Sequence, residues 1–145
     1  MTLQIKDILK SMEYGPAPES RDEAAKWLSA APKAGFGHYI GGKFTTAKKG
    51  GTFAVTNPAS DEELAQVALG TAADVDAAVK AAKAAFPAWS GLDGHERARY
   101  LYALARHIQK HSRFLAVLET MDNGKTIRET RDIDVPLVAR HFYHH

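Results

Sequence analysis

At 145 residues the chain is long enough for one domain with a real core. Its 45% apolar and 25% charged residues are ordinary for a soluble globular protein. Nineteen basic and 17 acidic side chains, well interspersed, leave a formal charge of +2, which gives no footprint for nucleic acid or an anionic membrane. Cysteine is absent, which excludes a disulfide framework, a thiolate nucleophile and any cysteine-built zinc site. The opening MTLQIKDILKSMEYG is too charged for a secretory leader, and no apolar stretch approaches the ~20 residues that span a bilayer. A cytoplasmic location is therefore expected.

Residues 3–13 place Leu3, Ile5, Ile8, Leu9 and Met12 on one side, which predicts a short amphipathic helix. Gly15-Pro16-Ala17-Pro18 breaks it, because proline removes a donor and forces extended backbone. Residues 21–30 read as a second short helix, with Ser20 as N-cap and Ala24, Trp27 and Leu28 inward. Pro32 to Gly37 read as a linker. From His38 the period changes. HYIGGKFT (38–45) and TFAVTNPAS (52–60) are rich in aromatic and β-branched residues, and a hairpin is expected between them across the Lys/Gly turn containing Lys48-Lys49. Asn57-Pro58 should end the second strand. Residues 63–69, ELAQVAL, make a third strand closed by Gly70.

Helices follow. Thr71 and Asp74 form a capping box with Asp in place of Glu, and Val75, Val79, Ala82, Phe86 and Trp89 recur at spacings of three and four up to Ser90-Gly91. Residues 96–111 should bury Leu101, Leu104, Ala105 and Ile108. The next helix, from about Ser112 to Met121, should bury Phe114, Leu115, Leu118 and Met121, and Asn123-Gly124 supplies its left-handed stop. Thr126 and Glu129 make another capping box, and Pro136 fits only the first turn of the last helix. That helix runs to His145 with no Gly, Asn or Pro to close it, so the polypeptide is expected to be the front portion of something longer. Three short strands under at least four striped helices are unbalanced. A larger sheet beneath the helices would resolve this.

Reactive constellations are scarce. His107 and His111 are spaced i,i+4, as are His141 and His145, but neither pair has an HExxH glutamate or an identifiable third ligand, and solvated or interfacial histidines are the better reading. Gly41-Gly42 and Gly50-Gly51 fit no phosphate-binding pattern. Ser90 and Ser112 lack the strand–Ser–helix context of a nucleophile elbow. Asp122 is an anion at a helix C-terminus, where the dipole disfavours it. Two readings stand: a local hydrogen bond that fixes the turn at Asn123-Gly124, or an oxygen ligand for a hard cation whose shell backbone carbonyls complete.

YIGGKF, TFAVTNPASDEELAQVALGTAADVDAAVKAAKAAFPAW, ERARYLYALARHI and LAVLETMDNGK, in this order and at these separations, resemble the N-terminal part of the aldehyde dehydrogenase superfamily over residues 38–145. Upstream, MEYGPAPE resembles the leader of the two-domain branch called family 16. The resemblance implies an α/β fold: the N-terminal part of a Rossmann-like coenzyme-binding domain, mostly helical with a small β-hairpin and one further strand. Residues 1–37 would be a helical extension and linker, and 38–145 an incomplete coenzyme domain. It implies a reaction in which a cysteine thiolate attacks an aldehyde, hydride passes to NAD or NADP, and a glutamate-activated water releases the acid. In the family the nucleophile, base, oxyanion asparagine and coenzyme lysine all lie beyond this stretch. No catalytic or cofactor-binding residue is therefore assigned, and the chain alone is expected to be inactive and to bind no coenzyme tightly. One family feature maps onto residues present: a structural cation held by main-chain oxygens of Val55 and Thr56 and by the Asp122 carboxylate. The expected partners are the remainder of the dehydrogenase chain or other subunits, and an aldehyde in the complete enzyme. The alternative is a non-catalytic module that docks on full-length dehydrogenase subunits.

Overall fold

The computed structural model describes residues 20–31, 35–45 and 50–145. The helix expected over 3–13 and the turn at Lys48-Lys49 lie outside the described residues. The first described helix, α1 (Asp22–Ser29), has Arg21 at its N-cap rather than the expected Ser20, whose hydroxyl one residue upstream accepts from the Asp22 N–H at 3.3 Å. Ala24 is buried, while Trp27 stacks on Phe36 at 5.0 Å and meets Phe114 edge-on at 5.6 Å. Phe36 is therefore more than linker. Its N–H donates to Gln66 O and its carbonyl accepts from the Ala68 N–H, a parallel bridge onto the sheet.

The strands pair differently from the sequence expectation. β1 (His38–Ile40) folds directly onto β2 (Lys43–Thr45), and β3 (Thr52–Thr56) pairs antiparallel with β4 (Glu63–Ala68). HYIGGKFT is thus a hairpin by itself. The cause is local: Gly41 and Gly42 both take positive φ (61° and 80°), the type I′ geometry that reverses a chain in two residues. Tyr39 faces Phe44 across this hairpin at 5.1 Å. The turn from β3 to β4 is held by Asn57, whose Oδ1 accepts from the Ala59 N–H at 2.9 Å, and by Asp61 in the left-handed region. A bulge at Val55/Thr56 interrupts the ladder just before it.

α2 (Ala72–Ser90) starts at the expected capping box: the Asp74 carboxylate accepts from the Thr71 N–H at 2.9 Å, and the Thr71 hydroxyl accepts from the Asp74 N–H. α3 (Gly94–Lys110) has a second box, Asp93 with Glu96. α4 (Ser112–Asn123) stops at Gly124, where φ is 78°. The third box, Thr126 with Glu129, opens α5 (Ile127–Glu129), which runs through a π-helical turn (Thr130–Asp134) into α6 (Val135–His144). Pro136 sits in the first turn of α6, as its missing N–H requires, but α6 is a continuation rather than a fresh start.

The core is small and lies where α3, α4, the π turn and α6 cross. Ala105, Ala116, Val117, Val135 and Ala139 are buried there. Small residues let helix backbones approach closely, and α3 and α6 form the main crossing, braced by a 2.8 Å hydrogen bond from Tyr143 to Gln109. Thr130 and Val135 face this core although five residues separate them. A turn with one extra residue makes that possible, and the Val135 N–H does donate to the Thr130 carbonyl. Thr130 itself is wholly buried: its hydroxyl donates to Ile127 O at 3.2 Å and lies 2.9 Å from the Thr120 hydroxyl on α4. By contrast α2 buries nothing, and Val75, Val79, Phe86 and Trp89 stay 40–65% exposed.

Replacing Thr130 with Val keeps the shape and deletes the acceptor for Thr120, at a cost of about 1–2 kcal/mol. Amide exchange in α4 and α6 should then accelerate by roughly five- to thirtyfold. Unchanged rates would show that the threonine pair adds nothing.

Candidate functional site

The β3–β4 turn and the C-terminus of α4 meet closely. A Cβ built on Gly124 would lie 2.8 Å from Pro58 Cγ, so no side chain fits there, and the positive φ of Gly124 excludes one independently. This contact brings the NPA and DNG motifs together. Beside it opens a cleft of about 560 Å³, with walls from Trp27 and Leu28 of α1, Val55 and Leu64 of the hairpin, Leu115 and Leu118 of α4, and Val138 of α6. Its polar lining is acidic: Glu119, Asp122 and Asp134.

The three residues expected to hold a cation are thereby partly united. Val55 and Asp122 line the same cleft; Thr56, next along β3, does not. The bulge between Val55 and Thr56 disrupts the ladder where main-chain ligands would be needed. Asp122 has no hydrogen bond or ion pair among the described residues. The turn-fixing bond that was one reading of Asp122 is made by its neighbour: Asn123 Oδ1 accepts from the Lys125 N–H at 2.8 Å, and Asn123 Nδ2 donates to Glu119 at 2.5 Å. A carboxylate together with main-chain oxygens would be a hard, all-oxygen donor set, the chemistry of an alkali or alkaline-earth cation rather than of a transition metal.

The histidine pairs form no centre. His107 and His111 contact ring to ring at 4.7 Å, and His144 meets His145 at 5.1 Å. Among the described residues no group of three or more His, Cys, Asp or Glu is placed to hold a metal ion. Asp134, overlooked in the sequence, pairs with Lys125 Nζ at 2.8 Å. A lysine and an aspartate nine apart give no periodic signal; the π turn brings them together.

Residues 44–145 match the sequence model of the aldehyde dehydrogenase family. The chain belongs to this family. An acetaldehyde dehydrogenase of Pseudomonas aeruginosa is 43% identical over 107 residues, which are 74% of this chain and 21% of that protein. Among solved structures, an NAD+ complex of a Bacillus cereus aldehyde dehydrogenase superposes with a TM-score of 0.77 at 34% identity, covering 86% of this chain and 25% of that one. PnpE in complex with nicotinamide adenine dinucleotide gives 0.73 at 45% identity, over 75% of this chain and 22% of that one. The chain thus spans about a fifth of the length of the curated relatives it matches. Among the described residues no helix is long and apolar enough to cross a membrane.

The Asp134 carboxylate, by hydrogen bond and then by charge, holds the Lys125 ammonium above the ordinary lysine range. A raised folded-state value means that this contact stabilises fully below the unfolded lysine value and is lost as pH rises through the folded one. Near neutral pH it is intact. An NMR titration of the Lys125 ε-methylene should show late deprotonation in the native chain and an ordinary value in Asp134→Asn. Identical titrations would place the two groups apart in solution.

Proposed function

We propose that this chain contributes the N-terminal part of the coenzyme-binding domain of a cytoplasmic NAD(P)-dependent aldehyde dehydrogenase, as scaffold rather than as reacting centre. The observation that carries the reading is the α2 face. Val75, Val79, Phe86 and Trp89 form a stripe at helical spacing that stays exposed among the described residues, with only Trp89 meeting another ring, Tyr100 at 5.8 Å. A stripe of that size is a packing surface, and further dehydrogenase chain, from the same polypeptide or another subunit, is its natural cover. Residues 1–37 would be an extension tied to the body through Trp27 and Phe36, and residues 38–145 the partial coenzyme domain.

The complete enzyme would oxidise an aldehyde to the acid. NAD or NADP would accept the hydride there; the neighbours solved with the coenzyme favour NAD. This sequence has no cysteine to act as nucleophile, so its residues hold and orient structure instead. The purified chain with an aldehyde and NAD+ or NADP+ should produce no reduced coenzyme and should bind ANS strongly through the α2 stripe. Turnover, or a stripe that leaves ANS dark, would defeat this reading.

Within the scaffold, the main-chain oxygens of Val55 and Thr56 and the Asp122 carboxylate would hold a structural cation. Its chemistry would be to join the β3–β4 turn to the α4 terminus, next to the Pro58–Gly124 contact. Sodium-23 NMR offers a direct check: the native chain should broaden the sodium line, and Asp122→Asn should remove most of that broadening. Equal broadening by both proteins would dismiss the site.

A further inference from the structure

We infer that Asn123 is a site of spontaneous deamidation, restrained by the last turn of α4, and that its conversion unlocks the Pro58–Gly124 junction. The chain has two asparagines, and the residue after each decides its chemistry. Asn57 precedes Pro58, whose backbone nitrogen carries no hydrogen and cannot close a ring on the side chain. Asn123 precedes Gly124, which has no side chain to obstruct that closure, and both residues are exposed. In the reaction the Gly124 nitrogen forms a bond to Asn123 Cγ and gives its proton to water. The bond from Cγ to Nδ2 breaks, Nδ2 takes up a proton and leaves as ammonia, and a cyclic imide remains. Water then opens the imide at either carbonyl, leaving aspartate or the β-linked isoaspartate. Water is the sole co-reactant, and nothing is oxidised or reduced.

The local geometry supplies part of what this reaction needs and withholds the rest. Asn123 Oδ1 already accepts from the Lys125 N–H at 2.8 Å, a donor placed where negative charge gathers as Cγ is attacked. The attacking nitrogen, by contrast, is committed to the helix: the Gly124 N–H donates to the Thr120 carbonyl at 3.0 Å. Nδ2 is tied to Glu119, one turn back, at 2.5 Å. Opening the final turn releases both groups, and helix ends open more readily than helix centres. The product does not close again as well. A carboxylate at position 123 sits one turn from Glu119 and at the negative end of the helix, and both placements disfavour it. The isoaspartyl form also adds a carbon to the main chain directly before Gly124, where even a Cβ would come within 2.8 Å of the Pro58 ring. A junction packed that closely does not absorb the insertion. Reaction at Asn123 is therefore a one-way release of the β3–β4 turn from α4, paced by how often the turn opens. It rests on neither the cation site nor the α2 stripe.

The test ages the full chain at mildly alkaline pH, native or unfolded in guanidinium, and maps tryptic peptides by mass spectrometry. The peptide 114–125 holds Asn123 and no other asparagine or glutamine, so an amide-to-acid mass gain there has one source. The gain should accumulate in both samples, at least roughly tenfold more slowly in the native one. Asn123→Gln should reduce it to background. Deamidated native chain, separated by its added negative charge on ion exchange, should lack the NMR cross-peak between Pro58 Hγ and Gly124 Hα that unmodified chain shows. No gain in the native chain over many half-lives of the unfolded reaction, equal rates in the two samples, or a cross-peak that survives deamidation would each overturn the inference.

Discussion

The described part of the molecule turns on one steric constraint, the approach of Pro58 to Gly124. A residue with no side chain and a left-handed backbone ends α4 and, in the same place, admits the proline ring of the β3–β4 turn. Two residues 66 positions apart in numbering are joined by that contact, since each closes its own element where the other begins to pack. From this junction α5 departs under the Thr126–Glu129 box, and the π turn carries the chain back across α3. The cleft and its acidic edge are consequences of the same geometry. Beside the junction, the space between the hairpin and α4 is lined on a further side by Trp27 and Leu28 of α1.

What could be read in advance was what lies within a few residues. The Thr71–Asp74 and Thr126–Glu129 boxes and the Gly124 stop are enforced by side chains three residues apart or by a single φ, and all three occur. The Asp93–Glu96 box obeys the same rule and was legible, although it was passed over. Strand pairing was less accessible because it is a competition. The sequence shows strand-forming runs, but Gly41-Gly42 permits a reversal that is closer along the chain than the one across residues 46–51, and loop closure favours the nearer partner. The bridge of Phe36 to β4 gave no periodic sign at all.

The site follows the same division. Asp122 stood out because an anion at a helix C-terminus opposes the dipole, and it does lie at the cleft without a partner among the described residues. The competing expectation, a bond from Asp122 to the turn, failed because Asn123 carries both an acceptor and a donor and satisfies Lys125 and Glu119 at once. Val55 stands opposite a bulge whose extra residue, Leu64, lies on β4, which is a property of the pair of strands and not of either alone. The Lys125–Asp134 pair depends on helical phase, which the spacing of nine conceals.

That phase has a further consequence. A helix that has accepted a supernumerary residue works as an angular offset. Everything downstream is rotated by about 100° from where an uninterrupted spiral would place it. Without the offset, Val135 and Ala139 would swing off the bearing set by Thr130, and the phenol of Tyr143 would sweep away from Gln109. The wide turn thus sets the azimuth of the last helix, and whatever this helix meets beyond its final residue inherits a heading chosen between Thr130 and Asp134.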